Sequence, residues 1–204
     1  MLKWKLALLS AASGMTLTAL AGCSTAVSMG VKMVGKAVDD EEATKMGDAL
    51  IGQPASAADA KLGAPQDVLR EIGGGRQWRI YPAPMNVLGN QRYVIQVQGG
   101  QITAVSKEEV DASGKAMAEK LYYDVKAKGK TPQEAEAALG LGPPIVAAVS
   151  RMTGQMVEFY QVPSLAGMSM SGPKLCRLKF DSSGHCTAVD IVDVGASTGS
   201  SSDL

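Results

Sequence analysis

Aromatic residues are scarce in this 204-residue chain, which has two Phe, two Trp and five Tyr. That scarcity removes the stacking platforms on which single-stranded nucleic acids are held. An excess of positive charge is missing as well, with 20 Lys plus Arg against 20 Asp plus Glu. Without a basic face nothing gathers the chain onto a phosphate backbone, so no nucleic-acid partner is expected. Histidine occurs once, at His185 beside Gly184, in what reads as an exposed turn. No Ser–His–Asp arrangement can be drawn without a second candidate base. Gly73-Gly74-Gly75 precedes a strand pattern, so it lacks the helix N-terminus that makes a phosphate cradle. The acids at Asp39 to Glu42 and at Glu108-Glu109 stand at apparent helix starts, where the helix dipole explains them. Met168-Ser169-Met170 has no His or Cys beside it to complete a soft-metal site. Neither a metal, a cofactor nor an enzymatic role is expected.

Cysteine is limited to three positions, Cys23, Cys176 and Cys186. The last two flank an apparent hairpin whose turn is Asp181-Ser182-Ser183-Gly184. Closing that turn with Asp181 opposite Gly184 sets Cys186 opposite Lys179 and Cys176 opposite Val189. Rungs so far apart along a strand exceed the ~7 Å between Cα atoms that a disulfide spans. Two buried thiols are the preferred reading. Neither cysteine has CxxC spacing, which argues against zinc.

What the chain does have is a leader. Lys3 and Lys5 are followed by an apolar run from Leu6 to Leu20, too short and too interrupted for a comfortable membrane span. The run ends in Leu20-Ala21-Gly22-Cys23, which resembles the lipobox of bacterial lipoproteins. That resemblance implies cleavage before Cys23, a diacylglyceryl thioether on its sulfur and acylation of its new amino group with palmitate-type chains. Residues 1–22 are then a lipoprotein signal peptide, and Ser24 after the anchor resembles the default for export to the outer membrane. An ordinary secretory signal with a chance cysteine is the alternative. Residues 23–39 form a tether in which Val27, Val31, Val34 and Val38 lie on one helical stripe. That stripe either rests on the bilayer, packs on its own domain or stays loose.

Beyond the tether the pattern runs through helices and strands and then begins again. Asp39 to about Ile51 reads as a helix, and Pro54 opens a shorter one that ends at Leu62. Strand patterns follow over Gln66 to Ile72, Gln77 to Tyr81, Arg92 to Gln98 and Gln101 to Ser106. Lys107 to Lys128 reads as a long helical segment, and Thr131-Pro132-Gln133-Glu134 begins a short helix with capping-box chemistry. Strands are expected again over Ile145 to Ser150, Met156 to Tyr160, Cys176 to Phe180 and His185 to Val194, with a loop over Pro163 to Pro173. Leu62-Gly63-Ala64-Pro65 aligns with Leu141-Gly142-Pro143-Pro144, and one constant offset also superposes Trp78 to Tyr81 on Val157 to Tyr160. The expected fold class is therefore α+β: two tandem repeats, residues 40–106 and 107–194, each a helix pair packed on a small antiparallel sheet. Packing the copies side by side, or joining their sheets edge to edge, would relieve thin cores and exposed edges. Residues 195–204, rich in Gly, Ser and Thr, are expected to be a disordered tail.

Several of these residues carry a family resemblance. Gly129-Lys130-Thr131-Pro132-Gln133-Glu134, Leu141-Gly142 with Pro144, Tyr160 and Phe180-Asp181-Ser182-Ser183-Gly184 together resemble the SmpA/OmlA (BamE) outer-membrane lipoprotein domain. The first half departs further, with Pro54 in place of a threonine. Tandem units of this kind are also similar in architecture to beta-lactamase inhibitory proteins. The resemblance implies a non-enzymatic scaffold, lipid-anchored on the periplasmic face of the outer membrane, that binds other envelope proteins during outer-membrane protein assembly or in envelope integrity. The contact would be made through the sheet or the 163–173 loop. An inhibitor or sensor of a periplasmic enzyme is the alternative. Trp78, Tyr81 and Tyr160, at matching strand positions, either pack on a sheet face or form the partner surface.

Overall fold

Both faces of nearly every strand in this protein are apolar, and the topology explains why. The computed structural model describes residues 41–83, 90–111, 114–163 and 174–199. Helix α1 (41–50) and α2 (Ala55–Leu62) precede strands β1 (Asp67–Glu71), β2 (Arg76–Pro82), β3 (Asn90–Gln98) and β4 (Gln101–Val110). Helices α3 (Gly114–Ala127) and α4 (Pro132–Leu139) then precede β5 (Val146–Ser150), β6 (Met156–Val162), β7 (Lys174–Phe180) and β8 (Cys186–Gly199). The strands form one closed antiparallel barrel in the order β1-β2-β3-β4-β8-β7-β6-β5.

Two seams close it. β4 pairs with β8 from Ala104 opposite Gly199 to Val110 opposite Val192. β1 pairs with β5, Leu69 opposite Ser150 and Glu71 opposite Ala148. One face of each strand fills the lumen, where Leu69, Trp78, Ile80, Val94, Val146, Phe159, Leu175 and Val192 are buried together. The other face carries the helices. Leu50 and Ala58 pack with Tyr81, Tyr93, Ile95 and Val105 on one flank. Ala116, Tyr123, Ala135 and Leu139 pack with Tyr160, Leu178, Phe180 and Ile191 on the other.

This corrects the expected fold class and with it the SmpA/OmlA (BamE) resemblance. Two repeats, each a helix pair on its own small sheet, would leave four sheet edges; here each of those edges is hydrogen-bonded to the other half. The lumen core draws on β1–β3 and on β5–β8 at once, so neither half buries a core alone. The residue matches that suggested the family lie in turns and core positions that a barrel uses equally well. The tandem likeness to beta-lactamase inhibitory proteins and the internal-repeat reading fall with it, because no pair of open sheets exists to form a concave face.

Two boundaries move for the same reason. The segment expected to turn helical at Lys107 stays extended to Val110, because Glu108 faces Arg92 across the β3–β4 ladder. Residues 195–199 of the expected tail continue β8, paired with β4. Main-chain bonding to a neighbour orders a Gly/Ser-rich stretch that its own side chains cannot. The α4 capping box forms as expected, with Thr131 and Glu134 exchanging bonds, and left-handed Gly140 ends the helix. The leader, Leu20, Ala21, Gly22 and Cys23, the tether, residues 164–173 of the Pro163–Pro173 loop and residues 200–204 lie outside the described residues.

Candidate functional site

One end of the barrel is charged. There the lumen-facing alternation of β3, β4, β7 and β8 brings in Arg92, Glu108, Arg177, Lys179 and Asp190. Arg92 donates from Nε and Nη2 to one oxygen of Glu108 at 2.8 and 2.6 Å. Arg177 donates likewise to Asp190 Oδ2, at 3.1 Å from Nε and 2.5 Å from Nη2. Lys179 lies 3.3 Å from the same oxygen, and Lys120 reaches Asp190 Oδ1 from α3 at 3.4 Å. Burial pushes the Asp190 carboxyl up, but the Arg177 and Lys179 charges outweigh it and hold the group well below the usual carboxylate range. Burial also pulls the Arg92 guanidinium below its ordinary value, and the neighbouring Arg177 adds to the drop while Glu108 opposes it. A water-sized to small-molecule opening runs between these groups, lined by Gln66, Asp67, Leu69, Ile80, Val157 and the three cations Arg92, Arg177 and Lys179.

A second feature lies on the outside of the barrel. Ala116, Tyr123 and Ala127 turn α3 toward β7 and β8. On its other side Met117, Leu121 and Val125 recur at four-residue spacing, 52, 66 and 85% exposed, with Tyr122 beside them at 56%. Four large apolar side chains in one exposed line are a patch of the kind that marks an interaction site. Lysines frame it. Lys115 and Lys128 are mostly exposed near its ends, and the Lys126 ammonium lies 4.4 Å from the Tyr122 ring centroid. The two acids of the helix are engaged within the protein, Glu119 by Lys174 at 3.0 Å and Asp124 by Lys128 at 2.7 Å. Periodicity alone assigns Met117, Leu121 and Val125 to a core. The signal that places them outside is the competing stripe of small residues, Ala116 and Ala127, that lets α3 sit close to the sheet.

The residues singled out from the sequence end up elsewhere. Trp78 is 5% exposed and Tyr81 and Tyr160 are fully buried, so their surface belongs to packing and not to a partner. Trp78 stands in the lumen, whereas Tyr81 and Tyr160 lie beneath the two helix pairs. Barrel closure covers the lumen face that carries Trp78, and the helix pairs cover the outer face that carries Tyr81 and Tyr160. Tyr81 ties β2 to α2: its hydroxyl donates to Asp59 Oδ1 at 2.7 Å and accepts from Arg79 Nε at 2.9 Å. Burial and the Asp59 bond push its pKa up to about 12 against the opposing pull of Arg79. Tyr160 donates to Glu158 at 2.6 Å, and burial raises the Glu158 carboxyl.

Cys176 and Cys186 are free and buried. A register shift sets Cys186 opposite Phe180 and Cys176 opposite Ile191, one position off the expected pairing for Cys186 and two for Cys176. Burial lifts the Cys176 thiol to about 12 and the Cys186 thiol to about 11, which keeps both protonated and poorly nucleophilic. His185 is an exposed turn residue whose amide donates to Asp181 Oδ1.

No family model and no curated protein matches the chain. Among solved structures, 72% of it aligns with a crystal structure of a cysteine-rich secretory protein from Staphylococcus aureus subsp. aureus Mu50, at 14% identity and a TM-score of 0.24. The alignment spans 44% of that protein's chain, less than half of its length. A likeness at that score carries neither fold nor function across.

Proposed function

We propose that the chain is a non-enzymatic lipoprotein, anchored through Cys23 on the periplasmic face of the outer membrane, that binds another envelope protein with the outer face of α3. The observation that carries this reading is the exposed line of Met117, Leu121, Tyr122 and Val125. With the sheet closed on itself, that line is the broadest run of exposed large apolar side chains among the described residues. The partner surface that fits it is apolar with an acidic group at the rim facing Lys126, because Lys128 is paired with Asp124 and Lys115 lies 4.0 Å from Glu119. A tether to the leaflet confines the barrel near such partners and raises its effective concentration for them. The assembly-factor setting rested on the family resemblance and loses its support with it.

In-cell photo-crosslinking tests the proposal, with a photoreactive amino acid placed at Leu121 or Val125 and a control at exposed Thr187. Both α3 positions are expected to give the same protein adduct in the membrane fraction, and Thr187 none. Reversing Lys126 to Glu is expected to weaken that adduct. Adducts to lipid alone, or equal products from Thr187, would contradict the assignment.

A further inference from the structure

Two buried guanidiniums facing one opening need an explanation beyond folding. Arg177 is 5% exposed and the Arg92 side chain 12% exposed, and each leans on a single carboxylate oxygen through Nε and Nη2. A guanidinium has a further edge of donors, and neither Nη1 is bonded to a described residue. The opening they line has a volume of about 150 Å³. Its wall carries Arg92, Arg177, Lys179 and Asp67, whose Oδ1 already accepts from Ser150 Oγ and the Val68 amide, both at 2.7 Å, while Glu108 and Asp190 pair the two guanidiniums through Nε and Nη2. The remaining wall is Gln66 and the apolar Leu69, Ile80 and Val157. An adjoining void of about 20 Å³ shares Leu69, Ile80, Arg92 and Arg177 and is bounded by Trp78, whose buried indole Nε1 has no acceptor. Orphaned buried donors are rare, because leaving one unbonded costs about 1–3 kcal/mol.

We propose that this end of the barrel binds a small organic carboxylate, its oxygens between the Arg92 and Arg177 guanidiniums, Lys179 at the rim and its short carbon chain against Leu69, Ile80 and Val157. Forked donors match a carboxylate edge on, and the Nη1 groups left over by Glu108 and Asp190 offer it charge-assisted bonds. The size of the opening excludes drug-sized ligands, which occupy roughly 300–1,000 Å³. This site is independent of the α3 face, and either can fail without the other.

Trp78 is the reporter. The sequence has two tryptophans, Trp4 and Trp78, and cleavage before Cys23 leaves Trp78 alone; in an uncleaved chain Trp4→Phe does the same. Butyrate titrated into the detergent-solubilised full chain is expected to change Trp78 emission saturably, whereas neutral butyramide leaves it flat. Lys179→Met, at the half-exposed rim, is expected to weaken butyrate roughly fivefold, as loss of one charge-assisted contact does, with an unchanged circular dichroism spectrum as the check on folding. An equal response to butyramide, no saturation with butyrate, or an unchanged affinity in Lys179→Met each overturns the proposal. Saturation by inorganic phosphate in the absence of any butyrate response overturns the carboxylate assignment.

Discussion

Replacing Arg177 with Met lowers the stability of the barrel by about 3 kcal/mol, the lower end of the cost of stripping one partner from a buried ion pair. The reason is Asp190. Its carboxylate sits at the charged end of the lumen, bonded by Arg177 through two donors. Lys179 and Lys120 remain near it at 3.3 and 3.4 Å, which keeps the loss from reaching the upper end of the range. In a chain of this size each kcal/mol moves Tm by about 2–4 °C, so the shift is readily measured by thermal denaturation. Adding Asp190→Leu to Arg177→Met is expected to recover most of the loss, since a buried pair replaced by apolar groups is close to neutral. The half-exposed lysines can turn to water. The pH dependence follows from the sign of the shift. A carboxyl held low in the folded state stabilises it above the unfolded value of about 3.9 and loses that contribution as pH falls toward the lower folded value. The wild type therefore sheds Asp190's stabilisation only in strong acid, below about pH 4, whereas Arg177→Met sheds less there. A Tm change under 2 °C in Arg177→Met would show that the pair does not support the fold.

Under the proposed lipid anchor, changing Cys23 to Ala is expected to abolish membrane attachment altogether. Each buried methylene contributes about 0.8 kcal/mol, and a single acyl chain holds a protein only reversibly, whereas the three implied at Cys23 would hold it for the life of the cell. Without the thiol there is nothing for the diacylglyceryl group to attach to. Metabolic labelling with a clickable palmitate analogue is expected to mark the wild type and not the variant. Fractionation is expected to move the variant to the soluble pool or leave it as uncleaved precursor. Normal membrane retention with undiminished labelling of Cys23→Ala would sink the lipoprotein reading.

The local elements were largely legible in the sequence, and their assembly was not. Pro54, Gly63, the Thr131–Glu134 box and the Asp181–Gly184 turn mark where elements begin and stop, because capping and turn chemistry act over a few residues. Closure depends on partners far along the chain. Nothing in the residues around Glu71 announces that they pair with Ala148, nor in Gly199 that it pairs with Ala104. Large apolar residues on both faces of β2 and β6 held the clue: Trp78 and Tyr81, or Phe159 and Tyr160, point to opposite faces, and a sheet with helices on one side only would leave one of each pair in water. Glu108, read as an acid at a helix start, misled in the other direction. Charges read as surface markers until the strand register shows that each has its counter-ion on the neighbouring strand. The α3 patch was hidden because an exposed apolar stripe and a buried one have the same period.

The reading of the two candidate sites depends on closure, which buries Trp78 in the lumen, frames the charged lumen end and leaves α3 as the open apolar face. Amide hydrogen exchange at the seams tests it most directly. The Ile72 amide donates to Ala147 and the Arg151 amide to Val68 across the β1–β5 seam, and the Asp111 amide donates to Ile191 across the β4–β8 seam. All three are expected to exchange slowly, opening only with the same global transition that releases mid-strand amides such as those of Ile95 and Leu178. Seam amides that exchange at unstructured rates while mid-strand amides stay protected would contradict closure and return the protein to two separate sheets.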